Sequence, residues 1–217
     1  MKSSNKKQIK VLVADDHAVV RRGIKTILLE TSDLCVVEEA ENGNDVLEKV
    51  RKTDLDVVLM DYDMPGKGGL DTLMELKVIC PKLPVIILSI FPEGHYGTRF
   101  LKAGAAGYLE KAGAPEQLVE AVRKVARGGK FVSPELTDKL VADLNKETEK
   151  LPHELLTDRE FQVFHLIAQG KKLKAIADEL HLSINTISTY RSRIMEKMDM
   201  QSNADLIRYA IENKLIK

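Results

Sequence analysis

No stretch of this sequence approaches the ~20 consecutive apolar residues that a helical membrane span requires, so the chain is not expected to cross a membrane. The first ten residues are basic, but the apolar run that follows, Val11 to Ala14, breaks at Asp15-Asp16. A signal peptide needs a longer apolar core and a small-residue cleavage site, so a cytoplasmic protein is expected. Cysteine is scarce: Cys35 and Cys80 stand far apart, without His or Cys neighbours at ligand spacing. They read as two reduced, partly buried thiols rather than a disulfide or a metal site. An excess of one charge is also missing. The 33 basic and 33 acidic residues cancel, so composition alone does not suggest nucleic acid, and any case for DNA rests on local pattern. There is no internal repeat and no low-complexity tract. What is there is an ordinary globular composition, 44% hydrophobic and 30% charged, in 217 residues, enough for two small domains.

The first 130 residues alternate short apolar runs with amphipathic stretches. The runs are Ile9–Ala14, Leu34–Val37, Leu55–Met60, Val85–Leu88 and Ala106–Leu109. Several are almost continuous in Val, Ile and Leu, as in strands buried on both faces of a parallel sheet. Helical patterns fall between them at about 18–30, 43–52, 69–79, 94–104 and 115–128, and Gly43, Gly69, Pro81, Pro84, Gly104 and Pro115 mark the joins. Five strands alternating with five helices predict a doubly wound α/β domain over 1–130, with a five-stranded parallel sheet. One more helix is expected at 134–145, and the charged, apolar-poor stretch 145–154 reads as a linker, so 131–154 is a helix plus connector. From 155 to 217 the apolar spacing is purely helical, predicting four short helices near 158–169, 173–180, 184–198 and 203–213.

In an open parallel sheet, ligands bind at the carboxyl ends of the strands where strand order reverses. Here those ends carry Asp15-Asp16 on strand one, Asp61 on strand three and Ser89 on strand four, and Lys111 follows strand five. Converging carboxylates repel unless a divalent cation joins them, and oxygen-only ligands favour Mg²⁺. A lysine and a hydroxyl across the same mouth suit a phosphoryl group, whose oxygens need neutralising and hydrogen bonding. Singly, each residue has a plainer explanation: a cap, a turn former or a solvated charge. Joint placement on four of five strand ends outweighs those explanations.

Asp15-Asp16, Asp61-Tyr-Asp-Met-Pro-Gly66, Ser89 and Tyr108-Leu-Glu-Lys111 together resemble the receiver domains of two-component response regulators, over the whole of 8–130. The resemblance implies that Asp61 is the phosphate acceptor for a sensor histidine kinase or a small phosphodonor. It implies that Asp16, Asp61 and the backbone carbonyl of Asp63 hold Mg²⁺, with Asp15 acting through water. It gives Lys111 to Asp61 or its phosphate and Ser89 to a phosphoryl oxygen, with Tyr108 swinging inward as a switch. Two points depart from the pattern or leave it open. Ala112 stands where many receivers have a cis proline, and a cis bond before a non-proline costs ~3 kcal/mol or more. Asp63 and Phe91 flank the route of the hydrolysing water, so phosphate lifetime stays open. A rival reading takes Asp61-Tyr-Asp63 as the nucleophile and acid of a haloacid-dehalogenase-type phosphatase. That reading wants the pair after the first strand and leaves Asp15-Asp16 unexplained.

In the helical region, Thr157-Asp-Arg-Glu160 has the form of a capping box, Gly170 of a C-terminal cap and Ser183 of an N-cap. Along 184–198, at ~100° per residue, Ile187, Tyr190, Ile194 and Met198 share one face. Asn185, Ser188, Thr189, Ser192 and Arg193 share the other, small and polar rather than the Glu/Lys of a merely solvated helix. That suits a reader of the DNA major groove. Leu156-Thr-Asp-Arg-Glu160, Gly170, Lys174-Ala-Ile-Ala177, Leu182-Ser183 and Thr186-Ile-Ser-Thr-Tyr190 resemble the LuxR/NarL-type helix-turn-helix domain. The resemblance implies a scaffold helix at 173–180, a recognition helix at 184–198 and a dimer-contact helix at 203–213. Lys174 is given to phosphate, and Lys172, standing where a Ser or Thr cap is usual, adds charge near the backbone. Arg191 lies nearer the buried face and is expected to reach phosphate from the edge. Ser188 and Tyr190 replace a lysine and a histidine common in the family. His165 and His181 read as packing and turn residues.

The expectation is a DNA-binding transcriptional response regulator of the NarL/FixJ family with no conventional enzymatic role. It is controlled by Mg²⁺-dependent phosphorylation of Asp61 and binds double-stranded promoter DNA as a homodimer when phosphorylated. The alternative is a receiver-type regulator that acts without phosphorylation or through a protein partner.

Overall fold

The structure is a computed structural model that describes residues 8–91, 93–134, 136–138, 141, 151–213 and 215–216, apart from the side chains of 94 and 95. The chain divides into two compact units, Met1–Asp143 and Leu144–Lys217.

The first unit runs β1 (Ile9–Ala14), α1 (Ala18–Leu29), β2 (Leu34–Ala40), α2 (Gly43–Lys52), β3 (Val57–Asp61), α3 (Gly69–Ile79), β4 (Val85–Ser89), α4 (Glu93–Lys102), β5 (Gly107–Glu110) and α5 (Pro115–Ala126). The five strands form one parallel sheet in the order β2-β1-β3-β4-β5. Every residue of β3 and β4 is buried, as their unbroken Val-Ile-Leu runs require of central strands covered on both faces. One face of the core joins Val11, Val13, Leu59, Ile86 and Leu88 to Leu28 of α1 and Val122 of α5. Side chains of this size contribute about 1.5–3 kcal/mol each when removed from water.

β2 is the exception to the alternation reading. It continues through Glu38 and Glu39 to Ala40, three residues past the expected end at Val37. As an edge strand it needs no continuous apolar run. Its two glutamates find polar partners instead: Glu39 pairs with Lys25 at 2.8 Å, and Glu38 accepts from the Thr53 hydroxyl at 2.8 Å. After α5 the chain returns to the sheet, where Phe131 bridges to Gly107 in parallel sense and Leu136 is buried. Pro134 and residues 136–138 and 141 are helical. The rest of the helix expected at 134–145, and residues 145–150 of the expected linker, lie outside the described residues.

The second unit opens earlier than the sequence suggested. Pro152–Leu155 forms a 3₁₀ turn rather than open linker, with His153 buried and its Nδ1 2.8 Å from the Tyr209 hydroxyl. This polar Pro-His-Glu stretch carries no apolar periodicity; the aromatic neighbours Phe161 and Tyr209 pack against His153. Then follow α6 (Asp158–Ala168), α7 (Leu173–Glu179), α8 (Ile184–Met198) and α9 (Asn203–Glu212). Gly170, at φ 80°, lets the Lys171 N–H reach the Leu166 carbonyl and close α6. His181, at φ 52°, is the left-handed residue in the turn between α7 and α8.

Glu160 ties this unit together. Its carboxylate accepts from the Thr157 N–H at 2.8 Å and pairs with Lys197 of α8 at 2.6 Å, completing the capping box. Burial alone would raise its pKa. The Lys197 ammonium and the Thr157 bonds outweigh burial and hold it below the usual carboxylate range. A lowered folded pKa gives stability that is present above the unfolded value and lost as pH falls through the folded one. Glu160→Gln is therefore expected to cost the second unit roughly 2 kcal/mol at neutral pH, and much less near pH 3. Amide exchange of α6 and α8 in the full chain checks it.

Candidate functional site

The strand order reverses between β1 and β3, and the crevice at their carboxyl ends is where this topology leaves room for a ligand. Ala14 is registered with Met60, so Asp15 and Asp61 leave the sheet side by side. One ligand atom each from Asp15, Asp16, His17 and Asp61 lie within 4.8 Å of one another. Lys111, carried in by the bond from its own N–H to the Ser89 carbonyl at 2.7 Å, puts Nζ 2.7 Å from Asp15 and 2.8 Å from Asp61. Asp15 is fully buried and fully engaged: Oδ2 takes Lys111, Oδ1 takes the His17 N–H at 2.8 Å, and its carbonyl takes the Arg21 guanidinium at 2.7 Å.

Burial pushes the Asp61 carboxyl up to about 7, against the pull of Lys111, and the Asp15 charge adds to the rise. The Asp63 N–H bonds the same carboxylate and opposes the rise. Burial would lower the Lys111 pKa, but Asp61 and Asp15 outweigh it and raise it. One ammonium thus serves two buried carboxylates, and a third, the exposed Asp16, lies in the same cluster. The deficit of positive charge and the oxygen-rich donor set fit a hard divalent cation. The Asp63 side chain is outside the four-residue cluster.

Ser89 ends β4 fully buried; its Oγ accepts the Phe91 N–H at 3.0 Å, and its hydroxyl also bonds the Tyr108 side chain. Tyr108 already lies inside, with its hydroxyl donating to the Phe91 carbonyl at 2.9 Å and burial raising its pKa. Phe91 in turn stacks on Tyr96, with ring centroids 4.7 Å apart. The Lys111–Ala112 peptide is trans, as is every peptide bond among the described residues. Two members of this region escaped sequence reasoning. His17 directly follows the two acidic residues, and that adjacency was its only signal. Arg21 sits at a helical position that gives no hint of a buried guanidinium.

In the second unit α8 buries Ile187, Ile194 and Met198, while Tyr190 is half-buried. Asn185, Thr189, Ser192 and Arg193 are exposed, as expected, whereas Ser188 is half-buried. The Thr189 hydroxyl donates to the Asn185 carbonyl at 3.0 Å and the Ser192 hydroxyl to the Ser188 carbonyl at 3.1 Å. What those hydroxyls offer outward is lone pairs. Ser183 caps the helix by accepting the Thr186 N–H at 3.0 Å. Lys172 and Lys174 are exposed at the start of α7, and Lys172 occupies the N-cap position without a side-chain cap. Arg191 is half-buried, as its place near the buried face implies, and its Nε donates to Asn203 Oδ1 at 2.6 Å, because the first turn of α9 lies against that edge of α8.

Comparison with known proteins agrees with both units. The family model of the response regulator receiver domain matches residues 11–123, and that of bacterial regulatory proteins, luxR family, matches residues 154–210. The chain belongs to the two-component response regulators of the NarL/FixJ family and is a DNA-binding transcriptional regulator. It is 38% identical over 209 residues to response regulator GacA of Pseudomonas aeruginosa, covering 96% of this chain and 98% of that one. It is 34% identical over 208 residues to response regulator UvrY of Escherichia coli K12, covering 95% of each. Among solved structures it resembles RcsB of Salmonella enterica serovar Typhimurium bound to promoter rprA with phosphomimetic BeF3-, at TM-score 0.60 and 25% identity, covering 94% and 98% of the two chains. None of the described helices is long and apolar enough to cross a membrane.

Proposed function

We propose that phosphorylation of Asp61 by a sensor histidine kinase switches this protein between states of weak and strong binding to promoter DNA. One observation carries the reading. The Asp61 carboxylate stands at the mouth of the sheet, 2.8 Å from Lys111 and within one cluster with Asp15 and Asp16. An Asp61 oxygen attacks phosphorus, the bond from phosphorus to the donor histidine nitrogen breaks, and that nitrogen keeps the electron pair. Lys111 pairs with the phosphoryl oxygens, and Ser89 turns its hydroxyl from Tyr108 to donate to one of them. Asp16, Asp61 and the Asp63 carbonyl would hold Mg²⁺, with Asp15 acting through water since its oxygens already serve Lys111 and His17. When bound, the cation supplies charge neutralisation for the crowded carboxylates and the incoming phosphoryl group.

The protein acts in the cytoplasm, with no conventional enzymatic role, and dimerises when phosphorylated; support for DNA as partner comes from RcsB, solved on a promoter. Intact-mass measurement after incubation with acetyl phosphate and Mg²⁺ is expected to show one added group of about 80 Da. Asp61→Asn is expected to remove it, since an amide is no carboxylate nucleophile. Full labelling of that variant would sink the assignment.

On the DNA side, α8 reads bases and the start of α7 contacts phosphate. The outward lone pairs of Thr189 and Ser192 favour base-edge donors such as adenine N6 or cytosine N4. Arg193 is exposed for contact, while Arg191 is partly committed to Asn203. Lys174→Ala is expected to weaken specific and scrambled DNA alike and to flatten the salt dependence by about one unit. Thr189→Ala is expected to erode the specific-to-nonspecific ratio with the salt slope unchanged. Salt titrations on a site selected from random DNA check both. A changed salt slope in Thr189→Ala would show that the helix face is misplaced.

A further inference from the structure

We propose that Leu136 is a positioning residue for phosphorylation: it keeps the Tyr108 ring inward and, through that ring, holds Ser89 and the backbone at Phe91 in place. The inference rests on reading Asp61 as the phosphate acceptor, and it adds to that site a residue from the stretch after α5.

That stretch is fastened to the first unit at both ends and in the middle. The Phe131 N–H donates to the Ala106 carbonyl at 2.9 Å, and its carbonyl accepts the Tyr108 N–H at 3.3 Å, so Phe131 lies along β5. The Ser133 N–H donates to Glu93 Oε1 of α4 at 3.1 Å. The Ser133 hydroxyl accepts the Leu136 N–H at 3.1 Å and caps the helical turn that carries Leu136 inward, where it is 3% exposed. Two glycines make room for this path. A Cβ on Gly107 would stand 2.9 Å from the Phe131 carbonyl oxygen, so a side chain there would push the stretch off the sheet edge. A Cβ on Gly97 would stand 2.8 Å from Leu136 Cδ2 and 3.7 Å from Tyr108 Cγ. The end of Leu136 and the Tyr108 ring therefore border the same bare patch of α4, and Leu136 fills what the glycine leaves empty.

The ring matters for what its hydroxyl holds. It donates to the Phe91 carbonyl at 2.9 Å, and the Ser89 side chain bonds it as well. These are the residue that ends β4 and the loop just after it. Tyr108 also borders an open cavity of about 490 Å³, with Glu93, Glu110, Ser133 and Pro134 around it. That cavity has room for a phenol ring, so packing is what keeps the ring inward. Without the leucine the ring is free to turn into the cavity, and its hydroxyl leaves Ser89 and Phe91. The Ser89 hydroxyl is then no longer held near the place where a phosphoryl oxygen arrives, and a small misplacement of such a group slows transfer.

The test is the rate at which acetyl phosphate and Mg²⁺ phosphorylate the full chain, followed by intact mass. Leu136→Ala is expected to slow it about fivefold. Leu136→Met refills the gap and is expected to restore the rate to within about twofold. In a Tyr108→Ala background, Leu136→Ala is expected to change the rate by less than about 1.5-fold, because the residue through which Leu136 acts is gone. Fluorine NMR of protein labelled with 3-fluorotyrosine reads the ring itself. Its Tyr108 resonance, assigned with Tyr108→Phe, is expected to move towards that of an exposed tyrosine in Leu136→Ala. An unchanged rate in Leu136→Ala overturns the inference. So does a slowed Leu136→Ala whose Tyr108 resonance stays in place, or whose slowing persists in the Tyr108→Ala background, since Leu136 would then act only by general packing. If the natural chain takes up no phosphoryl group at all, the proposed function fails, and the inference with it.

Discussion

Lys111→Ala is expected to destabilise the first unit by about 3 kcal/mol at pH 8 and to abolish phosphorylation. The stability loss follows from what the ammonium leaves behind. Asp15 and Asp61 are 0% and 4% exposed in their side chains, and each has Lys111 within 2.8 Å. Removing one partner of a buried ion pair typically costs 3–5 kcal/mol, because the other charge remains without compensation. Lys111 is itself 20% exposed, so the lower end of that range applies. Without the lysine the two carboxylates repel and at least one takes up a proton, so the deficit should shrink towards pH 4. Denaturant melts of the full chain across that range measure it. A loss that is the same at pH 4 and pH 8 would mean that Lys111 acts by packing its alkyl chain.

The second large effect runs in the opposite direction. Asp61→Asn is expected to make the first unit more stable than the natural protein at pH 8, by roughly 2 kcal/mol. The Asp61 carboxyl is pushed up to about 7 by burial, with the Asp15 charge adding to it, from an ordinary value near 3.9. A carboxyl whose folded pKa lies above its unfolded one binds its proton more tightly in the fold. As pH rises from about 4 to about 7 the unfolded state ionises first, so the native protein loses stability across that window. Asparagine keeps the shape and carries no charge, so the two proteins should converge below pH 4 and separate above pH 7. A reactive site held at a cost in stability is the expected state of affairs where an ionised nucleophile must be kept partly dry. Equal stability of the two proteins at pH 8 without divalent metal would contradict this account of the site's electrostatics.

Most of the architecture was legible because the physics acting on it is local. Central strands buried on both faces must be apolar throughout, so β3 and β4 announced themselves to within a residue or two. The end of β2 did not, since an edge strand tolerates Glu38 and Glu39 and a polar pair resembles a stop. The capping box at Thr157 and the left-handed Gly170 were readable because caps are local chemistry. The turn at Pro152–Leu155 was not, because it is held by Tyr209, more than fifty residues away in sequence. The same limit applies to the sites. Strand-end placement brought out Asp15, Asp16, Asp61, Ser89 and Lys111. The rotation of His17 onto Asp16 and the commitment of Arg191 to Asn203 depend on how elements meet, and no pattern in one strand or helix encodes that.

The central claim is that a phosphoryl group on Asp61 controls the affinity for DNA, and one titration tests it. The full chain, treated with acetyl phosphate and Mg²⁺ and verified by intact mass, is compared with untreated chain on a site selected from random DNA. The account predicts at least about tenfold tighter binding after treatment, equivalent to 1.4 kcal/mol, and no change for Asp61→Asn. A protein that gains the phosphoryl group yet binds the site with unchanged affinity would contradict it, and would favour a regulator that acts without phosphorylation or through a protein partner.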